Sequence, residues 1–106
     1  MKEDIVEYLQ EQHPEIYADI LLADGFEEAF MGVSYSFGSA PKACYDTHKC
    51  IDILQKRDGM TLDEAVEYFD YNVTGAYVGD FTPSFMVPFQ DQEISEGDAD
   101  ENDYLG

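Results

Sequence analysis

The sequence predicts an α+β fold: short N-terminal helices and a β-hairpin, with a candidate third edge strand in residues 81–89, packed against a helical hairpin. Three observations predict it. From Glu28 to Phe37 apolar residues recur at every second position, the period of a strand with one buried face. After Asp46 the period becomes helical. Finally, only Asp58-Gly59-Met60 separates two helical stretches, so short a link that they must form an antiparallel or steeply crossed pair.

In order along the chain, residues 3–12 read as a helix with Ile5, Val6 and Leu9 inward, ended by His13-Pro14. Pro14 suits the first turn of a second helix over residues 14–23, with Ile16, Tyr17, Ile20 and Leu21 inward and Gly25 as its stop; one bent helix is the alternative. In the strand over residues 29–37, Ala29, Met31, Val33, Tyr35 and Phe37 make the apolar face. Gly38-Ser39 turns the chain into a second strand over residues 41–45. Two strands are marginal alone, and residues 81–89 are the candidate third, confined to an edge by Pro83 and Pro88.

Asp46 or Thr47 caps the helix over residues 47–57, in which Cys50, Ile53 and Leu54 point inward and Lys56 and Arg57 complement the negative C-terminal end. Thr61 and Glu64 form a capping box that starts the next helix, over residues 61–74. Its expected core stripe is Leu62, Val66, Phe69 and Val73, and Phe69 at the centre should be buried. Asp63, Glu67 and Asp70 share another face, spaced roughly 4.5 to 6 Å along the axis. Residues 1–89 are thus expected to form one α+β domain. Residues 90–106, almost without apolar groups, read as an acidic tail that is disordered unless a partner orders it.

Charge narrows the function. Twenty-four Asp and Glu against five Lys and Arg give a net charge of −19 over 106 residues. Such a chain repels phosphate backbones and anionic membranes, so direct nucleic-acid or membrane binding is not expected and the natural partner is a protein with a basic surface. Neither a basic leader nor an apolar run of secretory or transmembrane length is present, and the expected location is the cytoplasm. Cys44 and Cys50 are too few for a disulfide framework and read as thiols.

No catalytic residues, metal site or cofactor are expected. Cys44, His48 and Cys50, with Asp46 or Asp52, lack the spacing of a zinc finger or ribbon, and Cys50 is needed on an apolar helix face. The tail begins a calcium-loop spacing at Asp98, Asp100 and Asn102 but has Asp103 where the loop needs glycine. A Cys44–His48 pair has no evident oxyanion site nearby, and the chain contains no GxGxxG, Walker loop or HExxH. The expectation is a protein that is not an enzyme. Tyr8, Tyr68, Tyr71 and Tyr104 lie among carboxylates, a mixture suited to gripping arginine and lysine or simply to flanking a helix core.

The segments GFEEAFMGV, CYDTHKCIDIL, RDGMTLDEAVEYFDYNV and GAYVGDFTPSF resemble a family of small acidic proteins encoded by tailed bacteriophages, over roughly residues 25–85. The resemblance carries no activity or site residues. It implies a context of host defence evasion, since small acidic phage proteins are often similar in role to inhibitors of host nucleic-acid enzymes, including anti-restriction and anti-CRISPR proteins. Combined with the charge, this gives a DNA-mimic expectation. Phosphates advance about 3.4 Å along a strand, and carboxylate rows at roughly 4.5 to 6 Å present a comparable density of charge to a basic channel. Asp63, Glu67, Asp70 and Tyr71 are the expected contact residues, with Glu3, Glu7 and Glu11 as a second row. The alternative is a non-enzymatic adaptor, structural or regulatory, that binds a protein through apolar and aromatic groups, its acids serving solubility.

Overall fold

The computed structural model describes residues 1–89. Helix α1 (Lys2–Gln12) is followed by a 3₁₀ turn (Glu27–Ala29), strands β1 (Phe30–Ser34) and β2 (Lys42–Asp46), helices α2 (Thr47–Asp58) and α3 (Leu62–Phe69), a π-turn (Asp70–Thr74) and strand β3 (Ser84–Met86). Among the described residues the strands form one sheet in the order β1-β2-β3. β1 and β2 are the expected antiparallel hairpin, and β3 lies parallel to β2 at an edge. Parallel pairing follows from the α2–α3 crossover between the two strands. The expected strand over 81–89 shrinks to three residues lying between Pro83 and Pro88.

Both helix starts are built as the sequence requires. Asp46 accepts the Lys49 N–H at 3.2 Å. Thr61 Oγ1 accepts the Glu64 N–H at 3.2 Å while Glu64 Oε1 accepts the Thr61 N–H at 2.9 Å, completing the capping box. Gly59 ends α2 in the left-handed conformation.

The second N-terminal helix does not form. Tyr17 N–H reaches back four residues to His13, but Ile16, Asp19 and Ile20 bond only three residues back, closing separate turns. Pro14 lacks an N–H to continue the ladder from α1. The chain then leaves the helical path to bury Ile20 and to carry the Ala23 N–H to the Tyr45 hydroxyl at 2.8 Å.

Strand β1 is shorter than residues 29–37, and its faces are not those of strict alternation. Phe30 pairs with Tyr45 and Gly32 with Cys44, so Met31 is an extra residue bulged out of the ladder. Gly32, at φ 143°, takes the backbone angle that the bulge imposes. Past the bulge Val33 opposes Ala43, so Phe30 and Val33 join the buried β2 face of Ala43 and Tyr45. Met31, Tyr35 and Phe37, expected inward, are exposed; Tyr35 instead bonds to His13 Nε2 at 2.7 Å.

Helix α3 is also rotated from its expected phase. Leu62 is 56% exposed and Val66 38%, while Ala65 and Phe69 are buried. Ala65 lies about 60° around the helix from Leu62, and its small side chain lets α3 approach α2 closely. The large apolar residues marked the stripe, but the close contact uses the small one. The regular helix ends at Phe69 instead of continuing to Thr74, giving way to the π-turn.

Aromatic rings tie these elements together. Tyr8 of α1 meets Phe30 edge-on at 6.1 Å, Phe30 meets Tyr45 at 5.6 Å, Tyr45 meets Phe85 at 5.6 Å, and Phe85 meets Phe69 of α3 at 5.1 Å. The three central rings are register partners on β1, β2 and β3. Ile5, Leu9, Cys50, Leu54 and Ala65 fill the space over them.

Phe69→Ala should therefore destabilise the protein by about 3–5 kcal/mol, read as a loss of most of the denaturant midpoint or a collapse of the Tm. Tyr45→Phe keeps the ring row but leaves the Ala23 N–H without its acceptor, and urea unfolding should show a smaller loss of about 1–3 kcal/mol.

Candidate functional site

The expected contact residues are all exposed. Asp63 and Glu67 stand on α3, Asp70 caps its C-terminal end, and Tyr71 opens the π-turn. Glu3, Glu7 and Glu11 are spaced at i, i+4 along α1, about 6 Å apart in rise. Each row is fixed by what lies opposite it: Ile5 and Leu9 anchor α1, and Ala65 and Phe69 anchor α3.

The two rows are not joined. α1 packs by Tyr8 on Phe30 of β1, whereas α3 packs by Phe69 on Phe85 of β3, and these strands are opposite edges of the sheet. Two acidic helical faces therefore flank the sheet, each regular in itself. Tyr68, 42% exposed, lies on a different side of α3 from the acidic row by helical period.

Three of the cations pair with acids outside both rows. Lys2 pairs with Asp24 at 3.0 Å, Lys56 with Asp52 at 3.2 Å and Arg57 with Asp58 at 3.0 Å. Arg57 also donates to the Gly25 carbonyl at 2.8 Å and sits 5.6 Å from the Phe26 ring, clamping the end of α2 to the turn before the sheet. Its bond to Asp58 lowers that carboxyl's pKa and raises that of the guanidinium. Lys2, Lys56 and Arg57 line a single open groove together with Glu27, Glu28 and Asp52. Three of the five basic side chains are thus engaged with acids that belong to neither row.

Two of the residues weighed for zinc or nucleophilic chemistry, Asp46 and Cys50, have structural work. Asp46, buried, caps α2. Cys50 is fully buried, and burial first, then the Asp46 charge, pushes its thiol up to about 12. It is a protonated core side chain at neutral pH, a poor nucleophile or metal ligand. Cys44 is a half-buried free thiol on β2. Among the described residues no group of three or more His, Cys, Asp and Glu is placed to hold a metal ion, and no helix is long and apolar enough to cross a membrane. The expectations for the tail, including Tyr104 and the Asp98–Asp100–Asn102 spacing, lie outside the described residues.

Sequence reasoning singled out Tyr71 after α3 but not the exposed residues of the Gly75–Gly79 turn beyond it. Tyr77 and Val78 are 75% and 61% exposed on a segment held by Thr82, whose hydroxyl accepts the Val78 N–H at 2.9 Å and donates to the Gly79 carbonyl at 2.6 Å. The signal available was the pair Gly75 and Gly79 bracketing Ala-Tyr-Val, an aromatic residue inside a turn.

Comparisons with protein families, with curated proteins and with solved structures found no match to the chain.

Burial also predicts an alkaline limit. The Cys50 thiol rises from 9.0 to about 12, and burial likewise raises Tyr45 from 10.0 to about 12 despite the Ala23 N–H bond, which lowers it. The unfolded chain loses these protons first, so their stabilisation is complete below pH 9 and is lost as pH rises toward 12, at about 1.4 kcal/mol per pH unit for each group. Tm measured against pH should be level to about 9 and then fall; in Cys50→Ala the onset should move toward 10.

Proposed function

We propose that this is an acidic phage-type protein that binds and inhibits a host nucleic-acid-handling enzyme, such as a restriction or CRISPR nuclease, by presenting DNA-like negative charge to its basic channel. The observation that carries the reading is the pair of exposed, regularly spaced helical carboxylate rows, Asp63–Glu67–Asp70 and Glu3–Glu7–Glu11, in a chain of net charge −19 whose paired cations serve other acids. Rows held by folding present charge at fixed spacing, and the ordering cost is met before contact. Long-range attraction would steer the encounter. The protein is not an enzyme in this reading; it acts in the host cytoplasm and needs no cofactor.

A second reading has its own support. Leu62, Tyr71, Tyr77 and Val78 are exposed, as expected of an adaptor that docks through apolar and aromatic surface. Salt separates the two, because a charge mimic weakens as ionic strength rises and an apolar adaptor does not.

The test begins with affinity purification from bacterial host cells and mass spectrometry. A nucleic-acid enzyme should be recovered, and virion proteins alone would sink the proposal. With that enzyme in hand, Asp63→Lys, Glu67→Lys and Asp70→Lys together should abolish binding at low and physiological salt while the circular dichroism spectrum is unchanged. A chain ending at Gln90 should keep most of the affinity. The opposite pattern would move the function from the helix face to residues 91–106.

A further inference from the structure

We propose that residues 70–82 form an arginine-gripping contact element, in which Tyr71 and Tyr77, flanked by Asp70 and Asp80, take guanidinium groups on the partner's basic surface. The inference rests on the proposed function for the sign of the partner's charge. It adds what distinguishes one basic surface from another.

The backbone of this segment is braced from within. The Thr74 hydroxyl donates to the Asp70 carbonyl at 3.3 Å, and the Ala76 N–H bonds to the Val73 carbonyl at 3.3 Å. At Gly75 the chain folds back so tightly that a Cβ would stand 2.9 Å from the Asp70 oxygen and 3.1 Å from the Tyr71 oxygen, which any larger residue would have to push aside. Beyond Tyr77, Thr82 ties together Val78 and Gly79 through its hydroxyl and its own N–H. Backbone groups on both sides of Tyr77 are therefore bonded inside the segment. Yet Tyr71 and Tyr77 are 76% and 75% exposed.

Large rings held outward on a prearranged backbone lose little freedom on contact, which is the property of an interface anchor. Charge selects the occupant. A second copy of the chain would bring another −19, and nucleic acid or an anionic membrane would be repelled in the same way. Asp70 and Asp80, both exposed, lie in the same segment as the rings and complement a basic protein surface. Arginine fits better than lysine, because its planar guanidinium stacks on a tyrosine face while its fork of N–H donors binds a carboxylate.

Deca-arginine and deca-lysine peptides, titrated at physiological salt, test this directly. The parent protein should bind deca-arginine about five- to tenfold more tightly than deca-lysine. Tyr71→Phe/Tyr77→Phe should keep that ratio, and Tyr71→Leu/Tyr77→Leu should bring it near one with the circular dichroism spectrum unchanged. A ratio near one in the parent, its loss in the phenylalanine variant, or its survival in the leucine variant would overturn the inference. Asp63→Lys/Glu67→Lys should weaken both peptides alike and leave the ratio intact. If that variant leaves both affinities unchanged, the charge reading fails while the ratio still reports on the tyrosines.

Discussion

The fold depends on the ring of Tyr45. It is buried on the central strand, between Phe30 on one neighbour and Phe85 on the other, and those rings in turn hold Tyr8 of α1 and Phe69 of α3. A sheet of such short strands has little stability from its ladder alone. The aromatic row lets it act as one slab to which helices from both ends of the chain attach. The hydroxyl adds a second role, since it accepts the Ala23 N–H and fixes the non-helical segment that a proline had already released. Burial that serves packing also sets the ionisation of that phenol, so packing and pH dependence have one cause.

Charge is distributed with equal economy. Cations in so acidic a protein can be scattered to neutralise, or concentrated to hold particular joints. Arg57 shows the second choice: one guanidinium meets a carboxylate, a carbonyl and an aromatic face at the join between α2 and the Gly25 turn. Surface ion pairs contribute little stability one at a time. Here the three pairs engage acids that belong to neither helical carboxylate row.

Local signals were legible in the sequence where they concern a few adjacent residues. The Thr61–Glu64 box, the Asp46 cap and the Gly59 stop depend on spacing alone, and all are built as the sequence implies. Phe69 was also legible, because it lay near the middle of any reasonable apolar sector. What failed required a partner from elsewhere. The Met31 bulge is decided by the strand it pairs with, and the burial of Ala65 by how closely α2 approaches. The acidic rows follow from helical period, but their separation follows from the strand order, which no local pattern encodes. Gly75 and Gly79 mark the aromatic turn, but the bonds from Thr82 and the close approach at Gly75 that brace it are not visible in composition.

The parallel edge strand has a consequence for how the protein assembles and fails. Ser84 reaches the Ala43 carbonyl across 41 residues of chain, whereas β1 meets β2 through a short turn and α2 meets α3 through an even shorter one. Long loops close late, so β3 is expected to dock after the two hairpins have formed and, as the shortest strand, to leave before them. Its departure uncovers both Tyr45 and the open edge of β2, the arrangement that invites strands from neighbouring molecules to add on. Mutual repulsion between molecules of charge −19 works against that encounter, so acidity also guards the partly opened protein from its own copies.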